Sequence, residues 1–131
     1  MTTNWGAESV LAASNAWAWV PDGVPHARNE EYLVVAYPEW FVTPTCARVF
    51  GSDRDPAGLV DEICGVAREW GRDRLWWRLS EFTRPAALEP LLAARGATVV
   101  DRMDVLALPL ADGLPHLPVP DDVQVRQVTD E

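Results

Sequence analysis

The sequence predicts an α/β domain in which roughly two or three helices pack on a mixed sheet of about five strands. Segments rich in β-branched and aromatic residues alternate with segments whose apolar residues recur at helical spacing. Proline and glycine residues separate these segments. The chain has 131 residues, of which 48% are hydrophobic and 24% charged, so it is long enough to bury a substantial core as one domain.

The N-terminal part predicts one helix and two strands. Apolar residues at helical spacing predict a helix from Ala7 to about Trp17, although the alternation that follows is equally consistent with the start of a strand. Residues 31–37 and 46–50 are rich in strand-forming side chains. We expect these two strands to pair antiparallel.

The clearest helix is predicted for residues 56–70. Leu59, Ile63 and Trp70 share its apolar face, and Gly71 supplies a C-cap. A strand with large side chains on both faces, which is typical of a central strand, is then predicted for residues 75–79. A strand, helix and strand of these lengths imply a parallel, right-handed crossover.

A second helix is predicted for residues 85–95, where Pro90 should bend the helix or delay its start. A last long strand is predicted for residues 98–110, with a bulge or a tight hairpin near Asp101. These elements assign residues 1–110 to one domain.

The remaining residues predict a connection and a new element. Residues 111–122 contain several prolines and predict a semi-rigid linker. Residues 123–131 begin with the alternation of a strand. That strand either opens a second domain or completes the sheet of this one.

The charge of the chain excludes some classes of partner. The formal net charge is -9 and the isoelectric point is near 4.6. Because phosphate backbones and anionic lipids are bound by basic patches, we expect neither nucleic acid nor a membrane surface as partner. Neither a basic signal region nor an apolar run of about 18 residues is present, which predicts a cytoplasmic location.

No metal site is expected. Cys46 and Cys64 form no C-x-x-C pair, and only His26 and His116 are available to join them. We expect both thiols to be buried, reduced and inert.

The stretch from Gly51 to Pro56 joins the second predicted strand to the strongest helix, the usual place for an anion-binding loop. Such a loop needs free backbone N–H groups at the positive end of the helix dipole. Here Asp53 and Asp55 occupy that place, Pro56 has no N–H, and Arg54 is the one cation. Ordinary capping explains the same residues, with Asp55 as N-cap and Pro56 as the first helical residue.

The order strand, helix, strand, helix, strand in residues 47–110 resembles the second half of the GNAT (Gcn5-type N-acetyltransferase) fold. Residues 66–71 (VAREWG) and 91–97 (LLAARGA) are similar to the ends of that family's two helices. The whole sequence looks most like the N-terminal, degenerate half of an actinobacterial tandem GNAT protein. By this resemblance, a second GNAT domain opens near Val123.

In working members of the family, a glycine-rich loop before the first of these helices binds the pyrophosphate of acetyl-CoA. The resemblance places that loop on residues 51–56, and in an alternative register Arg48 leads the motif and Asp53 takes its last position. Both registers set a carboxylate against the phosphates, which costs affinity. We therefore expect no cofactor binding by the vestigial loop, which consists of Gly51, Ser52, Asp53, Arg54, Asp55 and Pro56.

The second helix departs from the family pattern as well. Members often place an asparagine at its start and a tyrosine four residues before its final glycine, where the tyrosine acts as an acid. Pro85 and Leu92 hold these positions, so we expect no catalytic residue. The implied function is the N-terminal domain of a GNAT N-acetyltransferase, which supports a catalytic C-terminal GNAT domain as its partner. Acetyl-CoA would then be the cofactor of the full-length protein and not of this domain.

Two alternatives stay open. The domain is an active, acetyl-CoA-dependent N-acetyltransferase in which Arg54 neutralises the pyrophosphate, or it is a non-enzymatic module that forms a homodimer through its sheet edge or through the loop around Trp40. Trp40 lies in an aromatic segment bounded by prolines and is the candidate for an interface or a cleft.

Overall fold

The computed structural model describes residues 5–111, 113, 116, 118, 120–124 and 126. In chain order its elements are helix α1 (Ala7–Ala16), strands β1 (His26–Arg28), β2 (Tyr32–Ala36) and β3 (Thr45–Val49), helix α2 (Pro56–Glu69), strand β4 (Trp76–Arg78) and helix α3 (Leu88–Ala94). The strands form one mixed sheet in the order β1-β2-β3-β4. The α/β class predicted from the sequence is confirmed.

The sheet is organised around β2, in which every residue is buried. This strand pairs antiparallel with β1 on one side and with β3 on the other, where Tyr32 lies opposite Val49. Strands β3 and β4 run parallel, with Cys46 opposite Trp76, and α2 connects them. The predicted antiparallel pair and the predicted parallel crossover are both confirmed.

The two faces of the sheet pack against different parts of the chain. Successive strand residues point to opposite faces, so Val34 and Val49 face α2 and α3 while Leu33 and Val35 face the N-terminal segment. The larger core lies under the two helices and consists of Tyr32, Val34, Ala47, Val49, Leu59, Val60, Ile63, Leu88 and Leu92. On the other face, no residue of α1 is fully buried, and the most covered ones are only half-buried.

Helix α2 begins and ends at capping residues that the sequence predicts. The carboxylate of Asp55 accepts a hydrogen bond from the N–H of Gly58 at 3.2 Å, and Pro56 is the first helical residue. At the other end Gly71 has a φ of 72°, and its N–H donates to the carbonyl of Arg68 at 2.9 Å. These caps fix where the chain enters from β3 and leaves toward β4.

The structure corrects the predicted sheet at one edge. Residues 98–110 form no strand, so the described part of the sheet has four strands, and β4 lies at its edge instead of at its centre. The side chains of β4 are accordingly only half-buried. An alternating apolar pattern reports the tendency to form a strand, but a strand also needs a neighbouring chain for its N–H and C=O groups.

One strand was not predicted, and one helix begins later than the first residue of its predicted range. Strand β1 was not predicted, because three residues are too few to carry a pattern. Helix α3 begins at Leu88 instead of residue 85, with Pro90 in its first turn, where a proline is tolerated. This is the delayed start that Pro90 was expected to cause. The strand expected from Val123 falls mostly outside the described residues, and it stays a prediction together with the linker at residues 111–122.

Candidate functional site

The candidate cofactor loop leaves the carboxyl end of β3 and enters α2. Gly51 begins it with a φ of 145°, a conformation that glycine adopts without a steric penalty. The next residue, Ser52, donates its N–H to the carbonyl of Arg84 at 3.2 Å, which holds the loop against the segment before α3. The loop is therefore anchored between β3 and α2 by a contact with the segment before α3.

Several backbone donors that an anion would use at this helix start are already engaged. The N–H of Arg54 donates to the hydroxyl of Ser52 at 3.1 Å, and the N–H of Gly58 donates to the carboxylate of Asp55. The N–H of Leu59 makes the first helical hydrogen bond to the carbonyl of Asp55 at 3.1 Å. Since Pro56 has no N–H, the start of α2 presents few free donors and two aspartate carboxylates.

The one cation of the loop is held by carboxylates from two other elements. The guanidinium of Arg54 lies 3.1 Å from Glu62 of α2 and 3.6 Å from Glu31, the residue before β2. The hydroxyl of Ser52 also donates to the carboxylate of Glu31. The structure thus brings Ser52 and Arg54 together with two acidic residues that the sequence interpretation had not connected with the loop.

This polar network shifts the pKa values of two of its members. The hydrogen bond from Arg54, followed by that from the Tyr32 hydroxyl, lowers the pKa of Glu62. Burial raises the pKa of Tyr32, and its contact with the Glu62 carboxylate raises it further. Both shifts favour a charged Glu62, so the carboxylate beside Arg54 stays ionised at neutral pH.

Leu92 and Pro85, which hold the two family positions of the second helix, are both apolar. Leu92 is only 7% exposed and belongs to the core cluster under the sheet. Pro85 precedes α3 and accepts a hydrogen bond at its carbonyl from the N–H of Leu88 at 3.1 Å. Neither side chain can give or take a proton.

Trp40 lies at the opposite end of β3 from the loop. Its side chain is 83% exposed and makes an edge-to-face contact with Phe41, with the ring centroids 6.1 Å apart. Phe41 in turn stacks on Tyr37. An open cleft of about 410 Å³ adjoins this loop and is lined by Glu39, Phe41, Val42, Pro44, Thr45, Arg72, Asp73, Arg74 and Trp76. Trp40 itself does not line this cleft, although its neighbours Glu39 and Phe41 do, and it remains a candidate for an interface or a cleft.

Sequence reasoning named Arg48 only as a possible start of the loop motif and did not predict that it lies beside Arg78 near the carboxyl ends of the parallel strands. Arg48 of β3 is the register partner of Arg78 of β4. Their guanidinium groups reach the C-terminal end of α1, where Arg78 lies 2.8 Å from the hydroxyl of Ser14. An arginine inside a strand with large apolar neighbours was the available signal, because such a residue is rarely buried without a partner.

The cysteines are half-buried, which is more exposed than predicted. Burial raises the pKa of Cys46 and of Cys64, so both are thiols at neutral pH. Among the residues that the structure describes, no group of three or more His, Cys, Asp and Glu side chains is placed to hold a metal ion. No helix in this part of the chain is long and apolar enough to cross a membrane.

A scan against protein-family models found no matching family, and searches of the curated proteins and of the solved structures found no match.

Proposed function

We propose that this chain is the N-terminal domain of a GNAT-family N-acetyltransferase, that it does not bind acetyl-CoA itself, and that it supports a catalytic C-terminal GNAT domain. The observation that carries the proposal is the start of α2, where the Asp55 carboxylate accepts a hydrogen bond from the N–H of Gly58 and Asp53 adds a second carboxylate to the loop. The family is proposed from the resemblance of the sequence to GNAT proteins.

The electrostatic cost of a phosphate at this helix start supports the proposal. Two like charges about 4 Å apart repel each other by about 1 kcal/mol in water and by about 4 kcal/mol at the effective dielectric of a protein surface. Each 1.4 kcal/mol reduces affinity about tenfold. Asp53 and Asp55 would both act against the pyrophosphate, while the loop has few backbone donors left to offset them.

The contacts of Arg54 argue against the alternative in which the domain is an active enzyme and Arg54 neutralises the pyrophosphate. Its guanidinium already interacts with Glu31 and Glu62, and a phosphate would have to displace one of these carboxylates and tolerate the other. The positive charge that this alternative requires is therefore engaged within the domain.

Calorimetric titration of the chain with acetyl-CoA tests the first part of the proposal. We expect no binding tighter than about 100 µM, the affinity that corresponds to roughly 5 kcal/mol. A matched titration of Asp53→Gly removes one carboxylate and restores a glycine. The gain in acetyl-CoA affinity measures how much the Asp53 side chain opposes binding. Tighter binding by the unaltered chain would overturn the proposal.

The supporting role also predicts what the coding sequence after Glu131 encodes. We expect a further strand and helix joined there by a glycine-rich phosphate loop. In the corresponding full-length protein, removal of residues 1–110 should lower the acetyltransferase activity. A stop codon directly after Glu131 would rule out the supporting role while leaving the acetyl-CoA result unaffected.

An interaction module is the second candidate, because the exposed Trp40 and the exposed apolar residues of segment 98–110 offer contact surface. Sedimentation velocity of the chain and of Trp40→Ala distinguishes the two candidates. A dimer that dissociates on substitution supports the module, whereas a monomer in both cases removes it.

A further inference from the structure

Arg48 and Arg78 form a pair of positive charges on one face of the sheet. They are register partners on adjacent parallel strands, so their side chains leave the sheet next to each other. Because Ala47 and Val49 face α2 and α3, Arg48 points to the opposite face, toward α1. The pair lies near the carboxyl ends of the two parallel strands, where ligands of open α/β sheets commonly bind.

The end of α1 uses only part of the hydrogen-bonding capacity of this arginine pair. One terminal nitrogen of Arg48, NH1, reaches the carbonyl oxygens of Ser14 at 3.5 Å, Asn15 at 3.4 Å and Trp17. Arg78 uses NH2 to donate to the Ser14 hydroxyl. Arg48 also makes a side-chain hydrogen bond with the thiol of Cys46 on the same face of the sheet. In the described residues, Nε and NH1 of Arg78 make no hydrogen bond, and neither nitrogen is buried.

Helix capping accounts for one of the two charges. The last turn of α1 contains no basic residue, and Arg48 supplies the cation that its carbonyl end favours. Arg78 bonds only to a side-chain hydroxyl. Within the described residues, the ion pairs involve Arg54 and Arg95, and no carboxylate lies within 4.0 Å of Arg48 or Arg78.

The two guanidinium groups lie close enough for their charges to repel each other. Burial lowers the pKa of Arg78, and the charge of Arg48 lowers it further. Two partly desolvated positive charges without an acidic partner repel each other, and a bridging dianion would convert that repulsion into attraction. In a chain with a net charge of -9, this is an uncommon environment.

We propose that Arg48 and Arg78, together with the hydroxyl of Ser14, form a binding site for a phosphate group. The forked geometry of two adjacent guanidinium groups suits several oxygens of one anion, and the hydroxyl at 2.8 Å from Arg78 adds a third polar contact. The site is separate from the loop at residues 51–56 and does not depend on the proposed function.

Titration of the full chain with inorganic phosphate tests this site, with arginine Nε–H signals followed by NMR. Sodium chloride keeps the ionic strength constant, so that screening and binding are separated. We expect saturable shifts in the unaltered chain and about tenfold weaker binding in Arg78→Gln, which loses charge-assisted hydrogen bonds. Arg102→Gln, which replaces an exposed arginine outside the sheet, is the matched control and should bind phosphate like the unaltered chain.

A conservative variant keeps the test decisive if Arg78→Gln unfolds. Arg78→Lys retains the charge and loses the fork, so it should bind phosphate more weakly than the unaltered chain at an unchanged far-UV circular dichroism spectrum. The proposal is overturned if chloride alone reproduces the shifts, if Arg102→Gln weakens binding as much as the Arg78 variants, or if Arg78→Lys binds phosphate as tightly as the unaltered chain.

Discussion

Leu92 illustrates at the scale of one residue what the core of this domain requires. Its side chain is 7% exposed and packs with Leu88 and Ile63 beneath the sheet. A hydrophobic side chain in such a place stabilises the fold because its apolar surface is removed from water and because it packs closely with its neighbours. The apolar character of this position is therefore explained by stability alone.

We expect Leu92→Ala to lower the free energy of unfolding by about 2–5 kcal/mol, because it removes buried methyl groups and leaves a cavity. Urea unfolding followed by circular dichroism measures this change. Leu106→Ala is the control, since Leu106 is 93% exposed and its substitution should alter stability by less than about 0.5 kcal/mol. Equal effects of the two substitutions would contradict the packing of α3 on the sheet.

Glu62 provides a test of the loop network through pH. Its pKa in the folded chain lies below the usual 4.5, mainly because Arg54 donates a hydrogen bond to it. A lowered carboxyl pKa adds stability that is fully present above the unfolded value and is lost as the pH falls through the folded value. The Tm difference between the unaltered chain and Glu62→Gln should thus be largest near neutral pH and shrink below about pH 4.5. A Tm difference that widened on acidification would show that Arg54 does not hold Glu62 in solution.

At the scale of elements, the start of α2 depends on a single side chain. Asp55 accepts a hydrogen bond from the N–H of Gly58, whereas Asp53 lies exposed two positions earlier. We expect Asp55→Ala to destabilise the domain by about 0.5–2 kcal/mol and Asp53→Ala to change stability by less than about 0.5 kcal/mol. Chemical unfolding of the two variants measures both changes in the free energy of unfolding. A larger loss of stability in Asp53→Ala than in Asp55→Ala would exclude Asp55 as the N-cap.

Elements with local determinants could be predicted from the sequence. The Asp55-Pro56 start, the apolar face and Gly71 define α2 almost completely, and strong strand formers define β2 and β3. Whether residues 98–110 form a strand depends on parts of the chain far away in the sequence. An alternating pattern does not say which neighbouring strand supplies the hydrogen bonds. For the same reason β4 was assigned to the centre of the sheet although it lies at the edge of the described strands.

The candidate sites also contain parts that depend on local sequence and parts that depend on the folded arrangement. The lack of free donors in the loop could be predicted, since Asp55 and Pro56 act on the helix that they begin. The roles of Glu31 and Glu62 could not, because folding brings them to Arg54 from other elements. The Arg48 and Arg78 pair also needs the register of two strands that a whole helix separates.

At the scale of the whole molecule, all helices and strands of the described structure lie between Ala7 and Ala94. The sheet, α2 and α3 enclose the larger core within this span. Segment 98–110 follows it with large apolar side chains in water, including Val100, Met103 and Leu106. Because no described core residue lies beyond Leu92, the folded unit should not require residues after about 102.

Limited digestion with trypsin tests this division of the molecule. Arg102 is exposed and lies in no strand, whereas Arg78 is half-buried within β4, so we expect early cleavage after Arg102 and slow cleavage after Arg78. Mass spectrometry identifies the products, and the fragment that ends at Arg102 should keep its helical circular dichroism signal. In Arg102→Gln that fragment should not form, which controls for cleavage elsewhere. If Arg102 is protected as well as Arg78, residues 98–110 are paired in solution, and the sheet has the additional strand that the sequence predicts.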